Sequence, residues 1–327
     1  MLFMKFSLLA AGFYCLVFIL SLRSYSQDKS FTSVFTSDVD NFWIAFDSII
    51  ASDDKEKQLG FIRTLYIEKG TEGLKAFIKE RDYTAEEYIS LINKYPRFWK
   101  SIRANTLVIK SQFPRIEKGI EKFRDLYPEC RPAGIYFTIG ALRSAGTTKS
   151  EMVLISTEMM AADSGTDASE LSNWLKTLFK GQTSGDIVGM NIHEYVHTQQ
   201  SASGSTLLGK CLEEGSADFI AELATRQKNL NDYMLYGQRN ESSLKRRFRF
   251  EMYRRSSVNW LYNGEKAEHA DLGYFMGYAI CKAYYDKSAD KKKAVKEIIE
   301  LDYSSKEAIT AFLEKSGYYN NPNLRSQ

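Results

Sequence analysis

Two of the three histidines in this chain stand four residues apart, and a glutamate directly follows the first of them. His193, Glu194 and His197 therefore fit the pattern H-E-x-x-H. On a helix, residues at i and i+4 lie on the same face, so the two imidazoles can hold one Zn²⁺ between them. Glu194 would then lie beside an activated water as its general base. The competing interpretation is a surface helix that carries two histidines by chance.

A zinc hydrolase site needs a third protein ligand and an open fourth position. Two adjacent acidic residues, Glu213 and Glu214, stand in the next helical segment, and either could be that ligand. Neighbouring residues on a helix point about 100° apart, so only one of them can face the site. Asp218 follows one turn beyond Glu214, on the same face. Taken without the histidines, this segment would be an amphipathic helix with an acidic face.

The two segments together resemble the gluzincin clan of zinc metallopeptidases, in which H-E-x-x-H is followed by E-G-x-A, matched here from Glu214 onward. The resemblance implies that Glu214 is the third ligand. It also implies that Asp218 accepts a hydrogen bond from His193, which would fix the tautomer of that imidazole. One departure from the clan is Gln199, which stands where zincins usually carry an apolar residue.

A third segment supplies candidates for stabilising negative charge in the transition state. The run from Tyr274 to Gly277 is similar to the Tyr-x-Lys-Gly segment of aminopeptidase-type gluzincins, with Met276 in place of the lysine. A neutral phenol aimed at a developing oxyanion is the donor that such chemistry requires. Tyr274 is the first candidate, with Tyr278 and His269 behind it. Because the chain has 20 tyrosines, simple packing is the competing interpretation.

Within the clan, the chain is most similar to exported zinc-dependent proteases of gliding and related Gram-negative bacteria, a group that includes gliding-motility lipoproteins. The resemblance implies zinc-dependent hydrolysis of peptide bonds, with a peptide or protein as substrate. No G-x-M-E-N segment, which binds a free amino terminus in the aminopeptidases, occurs here. The alternative is a non-catalytic envelope or assembly protein that zinc stabilises through a closed site.

The first residues predict export. Lys5 precedes an uncharged, mostly apolar run over 6–22, which is short for a membrane span of ~20 apolar residues. Ser24 and Ser26 then offer small residues before a cleavage point. Residues 1–26 are therefore predicted to be a secretory signal peptide, with an uncleaved membrane anchor as the alternative. The mature chain is expected in the periplasm or outside the cell.

Charge does not favour a nucleic-acid partner, because the net charge is only +3. Basic residues alternate with aromatic ones over 242–255, which is most typical of solvated helix faces. Contact of these arginines with a substrate carboxylate or an anionic membrane surface is the secondary interpretation. The sequence predicts no oligomeric state.

Three cysteines remain after the signal peptide, namely Cys130, Cys211 and Cys281. In an oxidising compartment one pair could form a disulfide, and their spacing does not say which pair. None lies in a C-x-x-C pattern, so a thiolate zinc site is not indicated.

The predicted fold is α+β and mostly helical, with a small sheet upstream of the motif helix. Residues 27–130 are predicted to form a helical N-terminal region, and 131–327 a zincin-like catalytic domain. Two β-branched and aromatic segments, 133–140 and 152–157, predict strands joined by a polar loop over 143–150. An edge strand of this sheet could pair with an extended peptide substrate.

Overall fold

The chain was analysed as a computed structural model, which describes residues 31–182, 186–264 and 266–319. The predicted signal peptide lies outside the described residues. Within those residues, no helix is both long and apolar enough to cross a membrane. The described residues are mostly helical with one small mixed sheet, so the α+β prediction is confirmed.

The sheet has four strands in the order β1-β2-β4-β3. They are β1 (Val34–Phe35), β2 (Gly134–Thr138), β3 (Gly146–Lys149) and β4 (Met152–Ser156). β1, β2 and β4 run parallel, whereas β3 pairs antiparallel with β4 and forms one edge. The two predicted strands are confirmed as β2 and β4, and the side chains of β4 from Val153 onward are buried.

The polar loop predicted over 143–150 is wrong in part, because it contains β3. An edge strand has only one hydrogen-bonded neighbour, and its residues here are half-buried rather than buried. Its sequence, Gly-Thr-Thr-Lys, therefore lacks the apolar alternation by which strands are usually recognised.

The chain before the sheet is helical, as predicted, and its helices surround an aromatic core that includes Phe42, Trp43, Tyr66 and Trp99. Thr84 begins one helix by accepting a hydrogen bond from the backbone N–H of Glu87. These helices are α1 (Ser37–Ile50), α2 (Lys55–Phe61), α3 (Glu72–Arg81), α4 (Ala85–Lys94), α5 (Pro96–Leu107) and α6 (Phe113–Leu126). A π-helical turn (Ile62–Ile67) and a 3₁₀ turn (Val108–Gln112) lie between them.

The helices after the sheet include the two that carry the motifs. They are α7 (Thr157–Met160), α8 (Asn173–Gly181), α9 (Asp186–His197), α10 (Leu207–Thr225), α11 (Asp232–Glu251), α12 (Leu272–Lys287), α13 (Lys291–Ile299) and α14 (Lys306–Ser316). The motif helix α9 packs between α6 and α10, with Ile187, Val188 and Ile192 buried. Met190 of the same helix is only partly buried and lines the cleft.

The described residues from Thr32 onward form one compact unit. β1 lies before residue 130 and pairs with β2 beyond it, and α6 packs against both α9 and α10. Residue 130 is therefore not a boundary between compact units, although it is where the chain enters the main strands. α6, the last helix before residue 130, supports both motif helices.

The three cysteines Cys130, Cys211 and Cys281 are all buried and all free thiols. Burial raises the pKa of Cys130 to about 12, so that this thiol is unreactive near neutral pH. No disulfide joins any two of the three in the described part of the chain.

Candidate metal centre

Three side chains from α9 and α10 converge on one point. The Nε2 atoms of His193 and His197 lie 3.1 Å apart, and each lies near Oε2 of Glu214, at 3.5 and 3.3 Å respectively. A tetrahedral zinc ion with bonds of about 2.0–2.1 Å would separate its ligand atoms by about 3.3 Å. These three residues are the group of described residues whose donor atoms could hold one metal ion.

The second nitrogen of each imidazole has an oxygen acceptor. His193 Nδ1 lies 2.8 Å from a carboxylate oxygen of Asp218, and His197 Nδ1 lies 2.6 Å from Oε1 of Gln200. Both acceptors place the proton on Nδ1 and leave a lone pair on Nε2. Two such lone pairs 3.1 Å apart repel each other, so the arrangement suits a cation held between them.

Asp218 has a second partner that holds its carboxylate in place. Its other oxygen accepts a hydrogen bond of 2.9 Å from the phenol of Tyr233. Asn229 and Asn231 in turn donate to that phenol oxygen. The imidazole of His193 is thus oriented by a chain of hydrogen bonds that extends to the loop after α10.

The two adjacent glutamates of α10 face different ways, as a helix requires. The Glu213 carboxylate accepts a hydrogen bond of 2.8 Å from the backbone N–H of Gly204, in the loop that joins α9 to α10. Glu214 is the one that meets the histidines. Its second oxygen accepts a 2.5 Å hydrogen bond from the phenol of Tyr262.

Tyr262 was missed in the sequence analysis. It lies in the loop between α11 and α12, its ring is largely exposed, and its φ of 57° is unusual for a residue other than glycine. Asp271 holds this conformation by accepting the backbone N–H of Tyr262 at 2.6 Å. No sequence pattern marks Tyr262. It reaches Glu214 only because the loop between α11 and α12 folds back against the motif helices.

The end of α9 explains why a glutamine stands at position 199. Gln199 is buried, its Oε1 accepts the backbone N–H of Arg131 at 2.7 Å, and its Nε2 donates to the carbonyl of Arg131. The side chain therefore joins the helix end to the segment that leads into β2. An apolar residue at this position would leave both backbone groups without those partners.

Glu194 lies on the cleft side of α9 against the edge strand. A Cβ added to Gly146 of β3 would come within 2.7 Å of the Glu194 carboxylate, so the close contact requires a glycine there. Burial raises the pKa of Glu194, and the charges of the two histidines and of Arg81 lower it in part. A raised pKa suits a carboxylate that must accept and return a proton.

The two imidazoles and the Glu214 carboxylate shift one another's pKa values, because their charges have opposite signs. Burial lowers the pKa of His193, but the hydrogen bond and charge of Asp218, together with Glu214 and Glu194, outweigh burial and bring the pKa well above its usual value. Burial also lowers the pKa of His197, and the charge and hydrogen bond of Glu214, together with the charge of Glu194, outweigh burial and raise it. For Glu214, burial raises the pKa while the histidines bring it well below its usual range. The pocket therefore attracts positive charge, for which a proton and a metal ion compete.

The predicted donors of the third segment lie at different distances from the site. The ring of Tyr274 stacks on His193 with centroids 6.2 Å apart, and Tyr274 lines the cleft. The hydroxyl of Tyr278, one turn further along α12, instead donates to Glu222. His269 pairs with Asp232 at 2.8 Å and lies outside the cleft lining. Of the three, the structure brings only Tyr274 to the histidines.

A cleft of about 1470 Å³ opens over the three donors. Its walls are the edge strand β3, the loop after α10 and the loop that carries Tyr262. This volume exceeds the 300–1,000 Å³ that is typical of small-molecule sites. Glu194 and Tyr274 both face this space.

No known protein family, curated protein or solved structure matches this chain.

Proposed function

We propose that this chain is an exported zinc-dependent peptidase of the gluzincin type, with a zincin-like arrangement of β3, α9 and α10. The observation that carries the proposal is the spacing of the His193, His197 and Glu214 donors, which lie 3.1–3.5 Å apart at the base of an open cleft. Two imidazole nitrogens and one carboxylate oxygen form a donor set that catalytic zinc sites use.

The residues around the donors have the chemistry that hydrolysis needs. A zinc ion would supply Lewis acidity and activate a water near neutral pH. Glu194 would take the proton of the attacking water and pass it to the leaving amine. Its position against Gly146 and its burial keep it close to the cleft floor and away from bulk solvent.

Tyr274 is the proposed donor to the developing oxyanion. Among the described residues, its hydroxyl has no hydrogen-bond partner, whereas the phenols of Tyr262 and Tyr278 are already bonded to Glu214 and Glu222. Burial raises the pKa of Tyr274 well above its usual value, so the phenol keeps its proton and can donate it in a hydrogen bond. We propose that Tyr262 positions the ligand Glu214 instead.

A peptide is the substrate class that the cleft suits best. The backbone of Gly146 faces away from β4 at the cleft edge, and Thr148 has the same outward orientation because successive residues of a strand alternate. An extended peptide can hydrogen-bond to such an edge. The open volume leaves room for residues on both sides of a scissile bond.

The proposal is tested with the purified protein, its Glu194→Gln variant and a peptide library. We expect the parent to bind one zinc ion per chain and to cleave peptides, with activity lost on chelation and restored by zinc. Glu194→Gln should keep its zinc, and its kcat should fall by about 100-fold or more, since general-base catalysis is worth about 10²–10⁴.

Two outcomes would contradict the proposal. If Glu194→Gln cleaves as fast as the parent, the assigned base is wrong. If the zinc-loaded parent cleaves no peptide, the chain is better described by the alternative of a zinc-stabilised, non-catalytic envelope or assembly protein.

A further inference from the structure

Arg81, the last residue of α3, is a cation in the cleft without a carboxylate partner among the described residues. Its Nη2 donates to the carbonyl oxygen of Gly146 at 3.2 Å, and its Nε is buried with no acceptor. Of the other two arginines of this cleft, Arg143 pairs with Glu87 at 2.9 Å. Arg131, like Arg81, donates to a backbone carbonyl, that of Thr198 at 2.7 Å, but it is Arg81 that contacts the edge strand.

Gly146 places Arg81 beside the proposed general base. The glycine contacts Glu194 on one side, and its carbonyl accepts the Arg81 guanidinium on the other. Gly146 thus lies between Arg81 and Glu194, the proposed general base. Arg81 reaches that place from α3, which lies before the sheet and far from both sequence motifs.

The contact between Arg81 and Gly146 also reduces the number of backbone groups that β3 can offer to a bound peptide. The outward carbonyl of Gly146 is occupied by Arg81 and by the hydroxyl of Ser144, which donates at 2.7 Å. A peptide that lies along β3 would therefore meet a guanidinium at this end, where the strand offers no free carbonyl. A guanidinium binds a carboxylate through two parallel N–H···O bonds, and the terminal nitrogens Nη1 and Nη2 of Arg81, which lines the cleft, can provide them.

We infer that Arg81 binds a carboxylate of the substrate, so that this site prefers peptides with a free α-carboxylate or an acidic side chain next to the scissile bond. The inference rests on the proposed peptidase function. A carboxylate bound there would give the Arg81 charge the acidic partner that it lacks among the described residues.

The test uses three matched peptides built on one sequence from the library, taken from those that the parent cleaves or, if it cleaves none, from those that it binds. The first has a free C-terminal carboxylate beyond the scissile bond, the second is its C-terminal amide, and the third is the amide with Glu in place of a neighbouring Gln. We expect kcat/KM for the first or the third peptide to exceed that of the second by about 10- to 100-fold, as charge-assisted pairing implies. The peptide with the higher kcat/KM shows whether Arg81 binds the carboxylate of a free C-terminus or that of an acidic side chain.

Arg81→Gln should bring the three peptides to within about threefold of one another, and Arg81→Lys should keep part of the preference because it retains the charge. Lys228→Gln is the matched control, since it removes an exposed cation from the loop after α10 in the same cleft. It should keep the full preference. Zinc content and thermal unfolding of each variant show whether the fold is retained.

Binding of the same peptides to the Glu194→Gln protein, measured by calorimetry, tests the inference apart from hydrolysis. A carboxylate preference that disappears in the Arg81→Gln, Glu194→Gln double variant supports the role of Arg81 even if the parent cleaves nothing. Equal affinity for all three peptides, no binding of any, or a preference that survives Arg81→Gln overturns it. If the peptidase proposal alone is wrong, the protein still binds the carboxylate peptides through Arg81 but cleaves none of them.

Discussion

Asp218 connects the candidate metal centre to the rest of the molecule. One carboxylate oxygen holds Nδ1 of His193 and the other accepts the phenol of Tyr233. Partners of this kind fix the orientation of a ligating imidazole and raise its basicity. The geometry of the ligand group therefore depends on a residue that does not face the metal position itself.

Asp218→Asn is expected to weaken zinc binding by about 10- to 100-fold while the fold is kept. The amide removes the negative charge that stabilises the Nδ1 proton of His193. Competition with a chromogenic chelator measures the affinity. Asp232→Asn is the matched control, because Asp232 makes the same 2.8 Å contact with His269 outside the cleft. Equal losses in both variants would show that the effect is not specific to the site.

Tyr274→Phe is expected to lower kcat by about 100- to 1,000-fold with little change in KM or zinc content, as the loss of an oxyanion donor does in other enzymes. Tyr278→Phe, on the same helix, should keep kcat within about threefold, because its hydroxyl is bonded to Glu222. Steady-state kinetics on one cleaved peptide compare the two. A larger loss in Tyr278→Phe would reverse the assignment.

At the scale of elements, the crossing of α10 and α12 decides where Glu214 lies. The two helices approach through glycines. A Cβ on Gly277 would lie 1.6 Å from the carbonyl oxygen of Cys211, and one on Gly215 would lie 2.1 Å from the backbone nitrogen of Tyr278. The obstacle is backbone in both cases, which cannot move aside as a side chain can. Gly215 is thus required by packing as well as by its place after the ligand.

Gly277→Ala is expected to destabilise the protein by about 3 kcal/mol or more, because it overpacks a rigid helix crossing. It should also weaken zinc binding, since α10 must shift and take Glu214 with it. Urea unfolding and zinc titration measure the two effects.

Gly60→Ala in α2 is the control for that substitution. Nothing lies within 4 Å of the added Cβ, so a gain of about 0.5–1 kcal/mol is expected from helix propensity. If Gly277→Ala is as mild as Gly60→Ala, the crossing is looser than the contacts indicate.

At the scale of the whole molecule, the helices before the sheet and the motif helices are parts of one unit. β1 pairs with β2, α6 supports α9, and Arg81 reaches the cleft from α3. The buried interior is continuous across residue 130. Loss of the early helices would therefore expose the back of the motif helix and one face of the sheet.

Zinc is expected to raise the melting temperature of a single unfolding transition. At free zinc about 100 times the dissociation constant, binding to the folded state adds about 2.7 kcal/mol. Because the compact unit holds both sets of helices, the whole transition should move by several degrees in calorimetry. His193→Ala should show no such shift. Two separate transitions, only one of which responds to zinc, would indicate that the early helices fold independently.

The sequence by itself determined the class of fold and the two candidate imidazole ligands, and it narrowed the third candidate to Glu213 or Glu214. The spacing of His193 and His197 fixes both imidazoles on one helix face, and the position of Asp218 one turn after Glu214 follows from the same periodicity. These relations are local, because the helix repeat determines them wherever the helix lies. The strands β2 and β4 were also evident, since their buried residues are β-branched and aromatic.

Only the tertiary structure decided which residues from distant segments complete the site. Arg81, Gly146 and Tyr262 come from three different parts of the chain and meet the motif through packing of α3, the edge strand and a loop with a left-handed residue. Their residue types are common and their spacings carry no period. The choice of Tyr274 over Tyr278 was decided in the same way, because the crossing of α12 over α10 sets which turn of their shared face lies against His193.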